Sequence, residues 1–368
     1  MTPPGLAHAD PAGKLAGTVP IADHYLPALD GLRAISILLV MVAHMWLSHI
    51  VPGGLGVTIF FFISGFIITR VLLREHGATG RIGIGAFYGR RALRLLPALY
   101  VFVLASLAAM LAAGSPIPWP DVLAAVLHYA NYWSLFPGAF PAWGNMNSPL
   151  GITWSLAVEE HYYLIYPFLL AWLLPRPGRL MALLGALIVA VLAWRLYLAL
   201  HVGLDALPAY RIYKSTDTRV DSILYGALYA LLWSRCDRFA RMAGTWPLFA
   251  LGLALMLVSL LLRDPVFRET WRYSLQGVAL AAMFAWLALR PSRGSRLLSH
   301  PLLVYIGRIS YSLYLYHWLA LVCVEQFMPE SPLPARMAAV SLASFGAAHL
   351  SYRYVERLGQ RWRRRFGL

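Results

Sequence analysis

Charged side chains are scarce in this 368-residue chain, where Asp, Glu, Lys and Arg together make up 13%. An ordinary soluble domain carries about twice that share, so a soluble enzyme and a disordered protein are both excluded. Cysteine is scarcer still, with two residues, which excludes a disulfide scaffold. Neither cysteine has metal-ligand spacing, and no metal is expected. The first 30 residues lack the apolar core and cleavage site of a signal peptide, so the first apolar run is expected to act as its own insertion signal. No internal repeat of the transporter kind is evident.

Apolar length is what the chain has in abundance. Hydrophobic residues make up 60% of it, and the mean hydropathy is +0.62. A bilayer core needs about 20 apolar residues per helix. Runs broken by Gly, Pro and charge predict ten spans, centred on residues 33–50, 55–73, 94–113, 152–174, 180–200, 219–233, 246–262, 273–289, 302–325 and 333–352. The expected fold class is all-α, a polytopic integral membrane protein. Residues 1–24 are expected to form a flexible cytoplasmic tail, 25–356 the transmembrane domain and 357–368 a basic cytoplasmic tail. Segment 121–136 is too short and polar to span, and reads as an interfacial or re-entrant helix.

The net charge of +15, from 31 Lys and Arg against 16 Asp and Glu, would suggest nucleic acid in a soluble protein. Here the positive-inside rule accounts for it, and nucleic acid is not an expected partner. Twenty-two of the 31 cations fall on segments predicted to face the cytoplasm, seven on the opposite side and two within spans. The long stretch 114–151, predicted outside, carries none. Both termini are therefore expected inside, with Arg361, Arg363, Arg364 and Arg365 acting as a stop signal against anionic lipid.

An ionisable group deep in a span is costly and is a functional candidate by default. In LDGLRAISILLVMVAH, Arg33 and His44 stand 11 residues apart, on one helix face and roughly 16 Å apart along the axis. Asp30 lies about 40° off that face. His44 is predicted about 10 Å below the outer surface, Glu159 and Glu160 about 11 Å and His317 about 12 Å. Three helices thus bring titratable groups to one depth. Either His44 is a buried histidine bonded to a neighbouring helix, or it is a general base oriented by a carboxylate. Glu159 and Glu160 are about 100° apart around their helix, so one of the two is expected to face this layer.

A second set lies at the inner edge: Arg33, the i, i+3 pair Arg91 and Arg94, and Arg308. These are positive-inside anchors or a cradle for a polyphosphate. The rise from Arg33 to His44 suits a pantetheine arm, which makes coenzyme A a natural donor. A third set, Asp217, Arg219 and Asp221, begins the sixth span. It reads as an interfacial ion-pair cluster or as acceptor-binding groups for sugar hydroxyls. Trp119, Trp133, Trp143 and Trp154 border the outer loop as an interfacial belt or as sugar-stacking surfaces. In FFFISGF, Ser64 and Gly65 fit close helix packing. A serine nucleophile there would lack the strand–turn–helix elbow of hydrolases.

LDGLRAISILLVMVAH, GVTIFFFISGFIIT, FYGRRALRLLPALY, ITWSLAVEEHYYLIYP, DTRVDSILYGALYA and ISYSLYLYHW, in this order and spacing, resemble the acyltransferase type 3 membrane proteins, over residues 26 to 356. The resemblance implies transfer of an acyl group, usually acetyl, from cytoplasmic acyl-CoA to a hydroxyl. Implied acceptors are surface polysaccharides, their lipid-linked precursors, related glycosides and macrolides, with the bacterial inner membrane as location. The family's paired arginine and histidine fall on Arg33 and His44, its arginine pair on Arg91 and Arg94, and its glutamate on Glu159. His161 stands where members often have Gln, and Thr58 near an often acidic position. Both departures bear on acceptor choice. Many relatives also carry a C-terminal esterase-like domain; none is expected after the tenth span here, and acceptor selection is expected to rest with the outer loops.

Site expectations are then His44 and Glu159 for catalysis, Arg33, Arg91, Arg94 and Arg308 for acyl-CoA, and Asp217, Arg219, Asp221, His317, Glu160 and Ser64 for the acceptor. Two other functions compete. A glycolipid transporter or flippase could use the same polar layer as a substrate path and would consume no thioester. A structural partner of polysaccharide assembly proteins would survive loss of both His44 and Glu159.

Overall fold

The computed structural model describes residues 25–143 and 146–365; the expected tail 1–24 lies outside them. Ten principal helices carry the fold. Helix α1, Pro27–Val42, opens with Pro at its first turn and Asp30 close behind, both favourable at a helix start. It runs directly into a π turn, Ala43–Leu47, where Met45 (ψ 51°) and Trp46 (φ 63°) leave helical geometry. Helix α2, Gly53–Thr79, ends at Gly80 in the left-handed region, the usual helix stop. Then come α3, Ile84–Ala112, α4, Trp154–Leu173, α5, Pro177–Tyr197, α6, Asp221–Arg235, α7, Trp246–Leu261, and α8, Trp271–Phe284. The short helix Pro301–Arg308 leads into α9, Ser310–Phe327, and α10 is Leu333–Ser351.

Each of the ten apolar runs coincides with a helix, though not each is long and apolar enough to cross a bilayer unaided. Five segments meet both conditions: Pro27–Leu47, Gly53–Thr79, Ile84–Ala112, Pro177–Ala206 and Trp271–Leu289. Four of the other five fall short for visible reasons. Helices α6 and α7 have 15 and 16 residues, α4 carries Glu159, Glu160 and His161, and α9 carries His317 and Glu325. The run 302–325 is also broken at Ile309, whose ψ of 3° separates its two helices.

Segment 121–136 is not one helix. It forms Trp119–Val126 and Ala130–Trp133, parted at His128, which has a positive φ of 58°. Asp121 is buried between them and accepts hydrogen bonds from Trp133 Nε1 (2.7 Å) and the Phe140 amide (3.1 Å). A short antiparallel pairing of Ala142–Trp143 with Met146–Asn147 completes this connection.

Lipid tails give apolar helices little reason to associate, so close backbone approach and hydrogen bonds hold such bundles together. Gly65 of α2 faces the Ile223 carbonyl of α6, and Gly226 of α6 faces the Phe62 carbonyl of α2; a Cβ at either would collide. This reciprocal contact fixes Ser64, the neighbour of Gly65. Between α5, α6 and α8 lies a fully buried ion pair, Arg195 to Asp221 at 2.7 Å, with Ser274 Oγ and the Thr218 carbonyl accepting from the same guanidinium.

Candidate active site

His44 sits on the π turn that ends α1, and His317 lies buried one face away on α9. His317 Nδ1 is 3.1 Å from the Leu313 carbonyl oxygen. A carbonyl only accepts, so this nitrogen carries the proton and Nε2 is left as acceptor. His44 Nδ1 stands 3.0 Å from that Nε2 and must be the donor. The His44 Nε2 lone pair is therefore free, the state a general base requires. The two rings are parallel, 5.3 Å apart and 4° from coplanar, and the Trp318 ring meets His44 edge-on at 4.9 Å.

His44 lines a cavity of about 790 Å³ at the Gly53 end of the bundle. A second cavity, of about 120 Å³, is lined by Arg33, Ser64, Arg91, Arg94, Glu159 and Glu160. Val57 and Tyr314 belong to both linings, so the cavities meet at these two side chains. The Tyr314 hydroxyl is held by Ser155 Oγ (2.5 Å) and the Ile152 carbonyl (3.2 Å).

The carboxylate expected beside His44 is elsewhere. Glu159 accepts from Ser64 Oγ at 2.5 Å and faces the smaller cavity, so the partner that fixes His44 is His317. Glu160 is bound by Arg91 at 3.0 Å, and Arg91 stacks on the Tyr163 ring at 3.2 Å. Glu160 and Ser64 thus stand away from the cavity that holds His44. The expected arginine set is reduced to three. Arg308 is half-exposed and lies with Asp30 (3.9 Å) and the Tyr25 hydroxyl (3.1 Å), because Gly307 packs directly on the Asp30 backbone. Arg33 is 3.6 Å from Asp30, and Arg94 has no ion pair among the described residues.

The third expected set divides as well. Asp221 is spent on Arg195. Arg219 is fully buried, donates to Thr58 Oγ1 at 3.1 Å and stacks on Tyr273 at 3.9 Å. Asp217 binds Arg211 through both oxygens and also accepts from Trp194 and Tyr132. Burial works to raise the Asp217 pKa, but the Arg211 and Trp194 hydrogen bonds outweigh it and hold it below the usual 3.8. None of the three lines the His44 cavity: Asp217 and Asp221 are held in ion pairs, and Arg219 is packed among aromatic rings. Of the tryptophans, Trp154 lines that cavity, Trp133 is tied to Asp121, and Trp119 is exposed. The Trp143 side chain lies outside the described set. His161 bonds Thr216 Oγ1 at 2.7 Å, and Asn131 donates to the same oxygen.

Sequence reasoning gave no role to five other participants. Tyr314 stands between the cavities. His128 lines the smaller one. Trp46 donates to Glu325 at 2.6 Å, and Arg336 pairs with Glu325 while covering the Trp46 ring at 4.3 Å. The polar side chains of α9 and α10 at the outer end of their runs were the available signal for this last group.

The described bundle, rich in apolar spans, thus places an oriented imidazole in one cavity and arginines in another that meets it. The chain belongs to the acyltransferase 3 family, whose model, an acyltransferase domain, matches residues 26–353. The protein named Putative O-acetyltransferase SACOL0978, from Staphylococcus aureus (strain COL), is 31% identical over 345 residues, covering 90% of this chain and 57% of that relative. O-acetyltransferase OatA from Staphylococcus aureus (strain NCTC 8325 / PS 47) is 30% identical over 348 residues, with the same coverage. The chain thus spans less than two thirds of the length of the curated relatives it matches. No solved structure matches it.

Proposed function

We propose that this chain is a multi-pass O-acyltransferase of the bacterial inner membrane, with ten crossing helices and both termini cytoplasmic. It moves an acyl group, most simply acetyl, from cytoplasmic acyl-CoA to a hydroxyl of a surface polysaccharide, its lipid-linked precursor or a similar glycoside. The observation that carries this reading is the His317–His44 chain, which leaves an unprotonated Nε2 facing a large cavity. There the acceptor hydroxyl gives its proton to His44 Nε2 while its oxygen bonds to the acyl carbon. The carbon–sulfur bond breaks, and the imidazolium returns the proton to the departing thiolate.

Donor binding falls to the smaller cavity. Its 120 Å³ suits the thioester end of coenzyme A and not the nucleotide, which belongs beyond the arginines on the cytoplasmic side. Arg91 Nε is buried without a partner and Arg94 makes no ion pair among the described residues, so both have donors to offer phosphate oxygens. Glu159, held by Ser64, offsets part of the arginine charge. Transfer then requires the Tyr314 side chain to give way, since it stands where donor and acceptor meet.

The test is acetyl-CoA turnover by purified protein in lipid nanodiscs, alongside mass spectrometry of surface glycans with and without the gene. The expected results are a glycan heavier by one acyl group and loss of turnover in His44→Ala. Wild-type turnover in that variant would remove the base. Acceptor movement with no thioester consumed would make the protein a transporter.

A further inference from the structure

Positive charge collects around the His44 cavity, where topology disfavours it. The inside-positive bias works against Lys and Arg on the far side of the membrane, and residues 114–151 there have none. Yet four of the seven cations predicted on that side, Arg211, Lys214, Arg268 and Arg272, line this one cavity. Glu269 is its single acidic lining residue. Arg211 is already neutralised by Asp217. Lys214 sits 4.7 Å over the Tyr210 ring, and Arg272 donates to the Tyr273 hydroxyl at 3.1 Å. Among the described residues, Lys214, Arg268 and Arg272 have no ion pair. Behind the wall, Arg219 leaves Nε and Nη1 buried without partners, because Thr58 meets it with a hydroxyl and not a carboxylate.

Concave surfaces of one charge sign focus potential and concentrate counter-charge. Lys214 and Arg272 are partly buried and Arg268 is exposed, so packing of the core does not account for their place around this cavity. The rest of the lining includes Trp154, Tyr210, Tyr213 and Trp318, flat faces of the kind that pack against sugar rings. We propose that the acceptor is an acidic glycan, bearing a carboxylate or phosphate on or beside the sugar whose hydroxyl is acylated, and that Lys214, Arg268 and Arg272 select for that charge.

This rests on the O-acyltransferase reading, so its test uses binding in the His44→Ala variant, where turnover plays no part. Loss of acyl transfer and loss of charge preference are then seen separately. The protein, in phosphatidylcholine nanodiscs, is titrated with tetragalacturonate, with a neutral galactose tetramer, and with the neutral tetramer carrying a terminal phosphate. The acidic ligands are expected to bind about tenfold more tightly than the neutral one, with the advantage shrinking as salt rises. Tighter binding of the uronate assigns the charge to a carboxylate, and of the phosphorylated tetramer to a phosphate. Arg268→Gln combined with Arg272→Gln should erase the preference and leave neutral binding unchanged, which also reports that the variant is folded. If that pair fails to fold, Lys214→Gln should halve the preference or more. Equal affinity for all three ligands overturns the proposal. So does a preference that survives these substitutions, or complete displacement of the acidic glycans by nanodiscs containing phosphatidylglycerol, which would assign the cations to lipid.

Discussion

His44 Nδ1 lies 3.0 Å from His317 Nε2, and the proton between them belongs to His44 because the Leu313 carbonyl has already claimed the other His317 nitrogen. A histidine thus does the orienting work often given to a carboxylate. It has no negative charge with which to stabilise the imidazolium, but it fixes the tautomer equally well.

His44→Ala should lower kcat for acyl transfer by about 10²–10⁴-fold, the range for removing a general base. His317→Ala should cost less, about tenfold or more, and His317→Gln should recover part of the loss, since its amide oxygen can still accept from Nδ1. Steady-state kinetics on the three variants tests this order. Equal activity of His317→Ala and wild type would refute the orienting role.

Arg94 and Arg308 should separate cleanly. Arg94→Gln removes a cavity guanidinium that makes no ion pair among the described residues, and should raise KM for acetyl-CoA about tenfold with kcat little changed. Arg308→Gln, which loses only Asp30 and Tyr25, should leave that KM within twofold. Titrating acetyl-CoA against both variants decides the matter.

Trp46 holds a positive φ two residues beyond His44, a conformation that costs about 1–3 kcal/mol and persists only when surroundings enforce it. Glu325 and Arg336 supply that enforcement. Glu325→Ala should therefore reduce kcat by about tenfold with little change in either KM, because the base is misaligned while both cavities persist. A change confined to KM would contradict this.

Asp221→Ala should unfold the bundle more easily without any particular effect on acceptor affinity. Breaking a buried ion pair from one side costs about 3–5 kcal/mol, and here Arg195 would be left fully buried. Thermal unfolding in detergent, compared with acceptor KM on the surviving fraction, separates the two effects.

Asp217 predicts an acid-sensitive component of stability. Its folded pKa lies below its unfolded value, so its contribution is complete above about pH 4 and is lost as pH falls through the folded value. Asp217→Asn should have the lower Tm at pH 7, and the gap should close on acidification below pH 4. A gap that stays constant would mean the carboxylate charge does not matter.

Helix positions were readable because apolar runs of bilayer length leave few alternatives, and each expected run is helical, with 302–325 divided into two helices. The common depth of His44 and His317 was readable too, since rise per residue alone sets it. Rotation about the helix axis was not. Whether Glu159 turns toward His44 or toward Ser64 depends on how α4 packs on α2, and that contact spans 95 residues of sequence. The π turn at Ala43–Leu47 also swings His44 off the line an unbroken helix would give it. Arg308 was misplaced for a related reason: Gly307 lets its helix lie so close to α1 that the side chain reaches Asp30 instead of the arginine cavity. Asp221 is claimed by Arg195, a partner 26 residues away that composition could not single out.

Val57 and Tyr314 have a consequence beyond chemistry. Two hollows approaching from opposite ends of a bundle would form a leak through an energised membrane if water ever joined them. One phenol ring, pinned by Ser155 and the Ile152 carbonyl, keeps them apart. In the proposed transfer the ring would yield only to bound substrates, so that an electrically charged bilayer would keep its proton gradient.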